Sequence, residues 1–207
     1  AALARLCAEA RAIYCIPTQQ NPTAVTMGEA RRREVAQIAR AAGVPIIEDD
    51  AYGRLPSAPL PAIAAFAPEH VWHLATTAKA LSPGLRIAYV AAPDAGAAQR
   101  LAEALRATTL MPAPLGAAIA TAWIREGTAD KVLAAVRAEA GERQALARQI
   151  LPAAHGSPEA IHIWLDTPEH WPGDRLRDTA QSRGLSLVTA EAFAAAPGAR
   201  SGLRISL

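Results

Sequence analysis

Three charged side chains in this sequence could together bind a cofactor that carries an aldehyde, a ring nitrogen and a phosphate. Lys79 offers a primary amine that can form a Schiff base with an aldehyde. Asp49 offers a carboxylate for a protonated ring nitrogen, and Arg86 offers a guanidinium for a phosphate. Few chemistries need all three groups, so the sequence predicts a site for pyridoxal 5'-phosphate.

The elements that would position these residues are strands of an α/β sheet. Short β-rich segments alternate with helical segments from residue 13 to residue 92, which predicts parallel βαβ units. The expected strands cover residues 13–17, 44–48, 70–75 and 86–92. The second strand leads into Asp49 and the third into Thr76 and Lys79, and ligands of open α/β sheets bind at such carboxyl ends. A helix over residues 27–42 should end at Gly43.

The rest of the chain predicts long helices followed by a smaller unit. Helices are expected over residues 95–108 and 115–150, the second with an interruption at Gly127. Residues 160–207 then alternate strand and helix patterns. We therefore expect an α/β fold in two domains. Residues 1–150 would form part of a large cofactor-binding domain with long connecting helices, and residues 151–207 a small α+β domain.

Four motifs resemble those of the fold-type-I pyridoxal-phosphate proteins of the aminotransferase superfamily, in the same order. Residues 21–24 match the N-P-T-G motif, residues 49–52 match D-x-A-Y, and residues 76–86 surround Lys79. Arg204 is the fourth, near the end of the chain. The resemblance covers residues 11–207. It implies part of the family's large domain, with a mostly parallel sheet, plus a small C-terminal domain.

The resemblance implies a role for each motif residue around the cofactor ring. Lys79 would hold the cofactor and move the substrate α-proton. Asp49 would pair with the ring nitrogen, while Asp50, its rival by position, would be a structural neighbour. Tyr52 and Asn21 would hydrogen-bond the phenolate oxygen, although asparagine before proline is also an ordinary turn residue.

For the charged ends of cofactor and substrate, the resemblance implies two arginines. Arg86 would pair with the phosphate, helped by the hydroxyl of Thr76. Arg204 would bind the substrate α-carboxylate, the alternative being a surface arginine. Two positions depart from the family pattern: Ala24 replaces a usual glycine, and Ala78 replaces a usual second hydroxyl, so the phosphate would have one donor fewer.

Several further segments resemble MocR-type regulators of the GntR family: residues 21–27, 31–35, 47–53, 110–114 and 123–130. Such regulators join an N-terminal winged helix-turn-helix to an aminotransferase-like domain that senses pyridoxal phosphate or an amino-acid-derived ligand. The resemblance implies a homodimer in the full-length protein and DNA binding only through a domain absent from this chain. The alternative is a fragment of a free-standing aminotransferase acting on an amino acid and a 2-oxo acid.

The length and composition of the chain argue against several other classes of protein. A complete fold-type-I subunit is about twice as long as these 207 residues, so we expect the chain to begin within the large domain. Its apolar stretches are all shorter than the ~18 residues of a membrane helix, and we expect a cytoplasmic protein without a signal peptide. Cys7 and Cys15 predict reduced core thiols.

Two other clusters could bind ligands, but simpler interpretations are favoured. The triplet at residues 31–33 is the only run of arginines, and a solvated helix face explains it better than a phosphate or nucleic-acid patch. His70 and His73 lie in a predicted strand, where residues three apart point to opposite faces. We therefore expect no metal site.

Overall fold

The computed structural model describes residues 2–168, 171, 173–195 and 201–207. They group into two compact units, Ala1–Thr18 with Met27–Val136 and Gln19–Thr26 with Arg137–Leu207. The division between the units falls within a long helix. A domain boundary at residue 150 therefore stays a prediction.

The first unit contains a four-stranded sheet and most of the helices. Its helices are α1 (Ala2–Cys7), α2 (Glu29–Ala42), α3 (Thr77–Ala80), α4 (Ala95–Thr108), α5 (Pro114–Arg125) and the first part of α6 (Thr128–Ile150). Its strands are β1 (Ile13–Cys15), β2 (Ile46–Asp49), β3 (Val71–Thr76) and β4 (Ala88–Ala91). The strand order is β1-β2-β3-β4. The predicted helix over residues 95–108 is confirmed, and the predicted interruption at Gly127 separates α5 from α6.

The sheet is mixed, which corrects the expectation of parallel units throughout residues 13–92. Strands β1, β2 and β3 are parallel, but β4 runs antiparallel to β3. A parallel pair needs a crossover connection of about a dozen or more residues, usually with a full helix. The connection from β3 to β4 holds only the one-turn helix α3 and a short 3-10 turn, so the chain folds back beside β3.

Helix α2 supplies the core of the first unit. Its apolar side chains pack on β2, β3 and a neighbouring 3-10 turn, and the buried cluster consists of Val35, Ala36, Ala39, Ile46, Ile63, Ala67 and Val71. Burying one such branched aliphatic side chain contributes about 1.5–3 kcal/mol. Because strand side chains alternate, Ile46 and Glu48 lie on this face of the sheet and Ile47 and Asp49 on the other.

The arginine triplet corrects the prediction of a uniformly solvated helix face. Arg31 and Arg33 are exposed and pair with Glu34 and Glu29, but Arg32 is only 1% exposed. Successive helical residues point about 100° apart, and position 32 shares its face with Val35, Ala36 and Ala39 at helical spacing. The middle arginine is therefore part of the core.

Gly43 ends α2 as predicted, and its backbone requires glycine. It has φ 66°, in the left-handed region, and the backbone N–H of the cap donates to the carbonyls of Ala39 and Arg40. A Cβ there would meet no atom within 4 Å. A side chain at this position would therefore destabilise the protein only through the strain of a positive φ, not through a clash.

We expect Gly43→Ala to lower the free energy of unfolding by about 1 kcal/mol, because alanine is strained at positive φ. Urea unfolding measures this change. Gly141→Ala is the matched control: this glycine lies inside α6, and its Cβ would have an ordinary contact at 3.9 Å. That substitution should stabilise the protein, since alanine is the better helix former. Equal effects of both substitutions would contradict the explanation.

The second unit is built on an antiparallel sheet. Its strands are β5 (His162–Asp166), β6 (Val188–Thr189) and β7 (Gly202–Ser206), in the order β5-β7-β6, and its short helix is α7 (Gly173–Gln181). In the second part of α6, buried Gln144 donates its amide protons to the carbonyls of Ala160 and His162. Among the described residues of the chain, we find no helix with the length and apolar character needed to cross a membrane.

Candidate active site

The segment that carries Lys79 follows β3 directly. Thr76 caps α3, with its Oγ1 accepting a hydrogen bond from the Ala78 amide at 3.1 Å. The Nζ atom of Lys79 lies 6.0 Å from the centre of the Tyr52 ring, and Tyr52 is only 6% exposed. The lysine amine thus lies beside the loop that follows β2.

That loop closes tightly and places Tyr52. The Gly53 amide donates to the Asp50 carbonyl at 3.0 Å, and the Leu55 amide donates to the Tyr52 carbonyl at 2.9 Å. A Cβ on Gly53 would collide with the Asp50 carboxylate. A side chain at position 53 would therefore displace the Asp50 carboxylate, and glycine lets the turn close with the Tyr52 ring beside the Lys79 amine.

Asp49 is the last residue of β2, and its carboxylate accepts two hydrogen bonds. Its Oδ2 accepts a hydrogen bond from the Tyr14 hydroxyl at 2.7 Å, and its Oδ1 accepts a longer one from the Ala51 amide at 3.3 Å. An ionised carboxylate has about four acceptor positions. Asp49 therefore keeps capacity for a further donor.

Asp50 is held by a separate network. Its Oδ1 accepts from the Thr18 hydroxyl at 2.9 Å, and its Oδ2 lies 3.4 Å from Nε2 of His73. Thr18 in turn accepts from buried Arg32 at 3.0 Å. Burial alone would raise the pKa of Asp50, but hydrogen bonds from His73 and Thr18 and the charges of His73 and Arg32 bring it below its usual value.

The contact between Asp50 and His73 also shifts the pKa of the histidine, but upward. The hydrogen bond to Asp50 raises the pKa of His73 above its usual value, although burial opposes the shift. Both carboxylate oxygens of Asp50 are engaged on the side of Thr18 and His73. This arrangement favours Asp49 over Asp50 as the carboxylate open to a ligand.

Arg86 precedes Ile87, whose carbonyl is hydrogen-bonded to the segment that carries Lys79. The Ile87 carbonyl accepts from the hydroxyls of Thr76 and Thr77, each at 3.1 Å, and from the Thr77 amide at 3.0 Å. Arg86 itself has φ 54°, in the left-handed region, and an exposed side chain. Strained backbone of this kind clusters at ligand sites. Since the Thr76 hydroxyl donates to Ile87, it would have to rotate to reach a phosphate.

In the second unit, Arg204 and Asn21 form a hydrogen-bonded pair. Nη1 of Arg204 donates to Oδ1 of Asn21 at 3.1 Å, and Nη2 donates to Ser206 at 3.2 Å. The guanidinium lies 5.7 Å from the centre of the Phe193 ring, and Arg204 pairs with Trp164 in the sheet register. Arg204 is thus an ordered strand residue.

The loop with Asn21 contains the departure from the family motif. Ala24 has φ 58°, in the left-handed region that favours glycine. Its amide donates to the Gln20 carbonyl at 2.6 Å, and the Gln20 amide donates to Val25 at 2.8 Å. The turn is therefore formed despite the alanine, and the Asn21 side chain keeps a partner.

The predicted site residues fall into two groups. Those of the first unit lie at the carboxyl ends of β2 and β3 and in the connection to β4: Asp49, Tyr52, Thr76, Lys79 and Arg86. Those of the second unit are Asn21 and Arg204. Tyr14 also contacts this group and was not predicted, although strand alternation in β1 could have placed it on the face of Asp49.

The two histidines near the start of β3 have different surroundings. His70 ends a 3-10 turn, and His73 faces Asp50. Among the residues that the structure describes, no group of three or more His, Cys, Asp or Glu side chains could hold a metal ion.

Comparison with known proteins agrees with this geometry. The family model for aminotransferase class I and II matches residues 1–207. The HTH-type transcriptional regulator YdeF of Bacillus subtilis is 32% identical over 185 residues, which are 88% of this chain and 40% of YdeF. Aromatic-amino-acid aminotransferase 1 of Thermococcus litoralis is 29% identical over 204 residues, which are 94% of this chain and 49% of that protein.

Among solved structures, the kynurenine aminotransferase of Pyrococcus horikoshii in complex with PMP superposes with a TM-score of 0.87 at 26% identity. The match covers 95% of this chain and 51% of that enzyme. The chain thus spans about half, or less, of the length of these relatives. The resemblance predicted from the motifs and the predicted fold class are both confirmed.

Proposed function

Because the chain belongs to the aminotransferase class I and II family, we propose that it binds pyridoxal 5'-phosphate as the effector domain of a MocR/GntR-type transcriptional regulator. The observation that carries the proposal is the placement of the Lys79 amine 6.0 Å from the ring of Tyr52, on the loop that follows Asp49. The similarity to HTH-type regulators such as YdeF supports the regulatory role.

The side chains of the first unit fit the chemistry of this cofactor. Asp49 has acceptor capacity for the ring nitrogen, Lys79 offers the amine for the aldehyde, and Tyr52 offers a hydroxyl for the phenolate oxygen. Arg86 is exposed, and its guanidinium is available to a phosphate. Thr76 lies near it, because its hydroxyl donates to the carbonyl of Ile87, the residue after Arg86. When bound, the cofactor supplies an electron sink for charge that develops at the substrate α-carbon.

The protein groups would then orient the ligand and move a proton. The Lys79 amine would take the proton from the substrate α-carbon and return it. Arg204 presents two forked N–H groups that match a carboxylate, and its hydrogen bond to Asn21 restricts the rotation of the guanidinium. We propose that this pair binds the α-carboxylate of an amino acid.

A free-standing aminotransferase that acts on an amino acid and a 2-oxo acid is the second candidate. Similarity to the Thermococcus litoralis enzyme over 94% of this chain favours it. Both candidates need the same site and an amino-acid or amine ligand. In both, we propose a cytoplasmic homodimer in the native, full-length form, and the regulator would bind DNA through a domain outside this chain.

Two assays on the native, full-length protein separate the candidates. The first follows amino-group transfer from a panel of amino acids to 2-oxo acids, and the second follows binding to its own promoter DNA. DNA binding that changes when an amine and the cofactor are added supports the regulator. Amino-group transfer without DNA binding supports the aminotransferase.

The cofactor assignment predicts the result of Asp49→Asn. The amide cannot supply the negative charge that the ring nitrogen needs, so the dissociation constant for pyridoxal phosphate should rise about 10- to 100-fold, as for a lost charge-assisted hydrogen bond. Cofactor titration by absorbance measures it. Asp174→Asn is the control, because Asp174 lies on α7 in the second unit. An unchanged constant in Asp49→Asn would contradict the assignment.

A further inference from the structure

Tyr14 contacts the proposed cofactor site directly, and the proposed function gives it no role. It is the middle residue of β1 and pairs with Ile47 in the parallel register of β2. Strand alternation places Tyr14, Ile47 and Asp49 on one face of the sheet. The hydroxyl of Tyr14 donates to Oδ2 of Asp49 at 2.7 Å. The contact therefore joins the middle of β1 to the carboxyl end of β2.

The hydrogen bond from Tyr14 is the stronger of the two side-chain contacts described for Asp49. A short O–H donor to a carboxylate is a charge-assisted bond, roughly twice as strong as a neutral one. The other contact, from the Ala51 amide, is 3.3 Å long. A phenol is also rigid, with few rotatable bonds. Tyr14 is therefore the main restraint on the rotation of the Asp49 carboxylate and on the direction of its remaining lone pairs.

The electrostatics of the phenol agree with a close contact to a charged carboxylate. Although Tyr14 is 61% exposed, burial of part of the side chain, the hydrogen bond to Asp49 and the charge of Asp49 raise its pKa to about 12. Smaller contributions come from Cys15 and Tyr52. The proton consequently stays on the phenol, where it can be donated to Oδ2, throughout the physiological pH range.

We propose that Tyr14 is a positioning residue that holds the Asp49 carboxylate in the orientation that receives the ring nitrogen of the cofactor. The inference rests on the proposed function, because it takes Asp49 as the partner of that nitrogen. In this role Tyr14 acts through Asp49, the side chain to which it donates. Its effect should therefore depend on the presence of a ring nitrogen.

The first test needs no cofactor. The Cζ resonance of Tyr14, assigned by its loss in Tyr14→Phe, reports ionisation of the phenol in NMR spectra of the native, full-length protein. In Asp49→Asn the pKa of Tyr14 should fall below its wild-type value of about 12, because the charge of Asp49 and the hydrogen bond to a carboxylate are removed while the effect of burial remains. At a pH between the two values, a larger fraction of the phenol should be ionised in the variant than in the wild type. The same titration in both proteins would overturn the Tyr14–Asp49 coupling.

The second test compares pyridoxal phosphate with its analogue in which CH replaces the ring nitrogen. Tyr14→Phe should weaken binding of pyridoxal phosphate about tenfold, since it removes one hydrogen bond to a charged group. It should leave binding of the analogue unchanged. Tyr89→Phe is the matched control: Tyr89 is 48% exposed on β4 of the same sheet, and its side chain lies on the opposite face from Asp49. This substitution should change neither constant.

The outcomes distinguish this inference from the proposed function. A selective loss for pyridoxal phosphate supports the positioning role. Equal losses for both compounds would show that Tyr14 only supports the fold, which would overturn the inference and leave the cofactor site intact. Wild-type protein that binds neither compound would overturn the proposed function, and the inference with it.

Discussion

Replacing Lys79 by alanine is expected to abolish covalent attachment of pyridoxal phosphate. The chain has only two lysines, Lys79 and Lys131, and only Lys79 is next to Tyr52 and in the segment that links β3 to Arg86. Without its amine no group in the predicted site can bond the cofactor aldehyde. The absorbance band of the bound cofactor and its retention on gel filtration should both be lost in the native, full-length protein.

Lys131→Ala is the control for this experiment, because Lys131 lies on α6 and carries no predicted role. It should keep the band and the retention of the wild type. The unfolding transition of the Lys79 variant should also be close to that of the wild type, since the lysine lies on a one-turn helix. A Lys79 variant with an unchanged band would contradict the site.

The second large effect is expected from Arg32→Ala and concerns stability. The Arg32 guanidinium donates to the carbonyls of Met27 at 2.8 Å, Pro61 at 3.1 Å and Pro17 at 3.2 Å, and to the Thr18 hydroxyl. Alanine removes these four hydrogen bonds from a buried position and creates a cavity, although the Pro17 carbonyl keeps its hydrogen bond from the Met27 amide and the Thr18 hydroxyl keeps its bond to Asp50. We expect the free energy of unfolding to fall by about 3–5 kcal/mol.

Urea unfolding tests this expectation against a close neighbour. Arg31→Ala removes an exposed arginine whose pair with Glu34 is a surface ion pair, and such pairs contribute little. It should leave the unfolding midpoint almost unchanged. Arg32→Lys should have an intermediate unfolding midpoint, because an ammonium keeps the charge but cannot reproduce the planar set of N–H donors of the guanidinium. Equal midpoints for Arg31→Ala and Arg32→Ala would contradict a structural role for the buried arginine.

Arg32→Ala should also affect the proposed cofactor site. Arg32 supports Thr18, and Thr18 with His73 holds the carboxylate of Asp50, next to Asp49. Loosening this network frees Asp50 from its partners. We expect the folded Arg32→Ala protein to bind pyridoxal phosphate more weakly than the Arg31→Ala protein.

Features set by local sequence could be predicted. The bounds of α4 follow from the Asp94 cap, which accepts from the Ala97 amide at 2.7 Å, and the end of α2 follows from Gly43. The motif around Lys79 is likewise a continuous segment. Its residues meet at one edge because β2 and β3 are parallel neighbours, which the order of short strands and helices predicts.

Features that depend on contacts between distant segments could not be predicted in the same way. The choice between Asp49 and Asp50 depends on Thr18 and His73, which lie far from them in the sequence. The contact between Tyr14 and Asp49 depends on the register of two strands separated by a helix. The prediction of a solvated face for residues 31–33 was wrong for Arg32, and its carbonyl partners explain how a charge is accommodated in the core.

The most direct test of the central claim is to identify the lysine that bonds the cofactor. Native, full-length protein is incubated with pyridoxal phosphate, reduced with borohydride, digested and mapped by mass spectrometry. We predict a phosphopyridoxyl group on the peptide that contains Lys79 and none on the peptide that contains Lys131. A modified Lys131, or no modified lysine, would contradict the claim that the carboxyl ends of β2 and β3 form a pyridoxal-phosphate site.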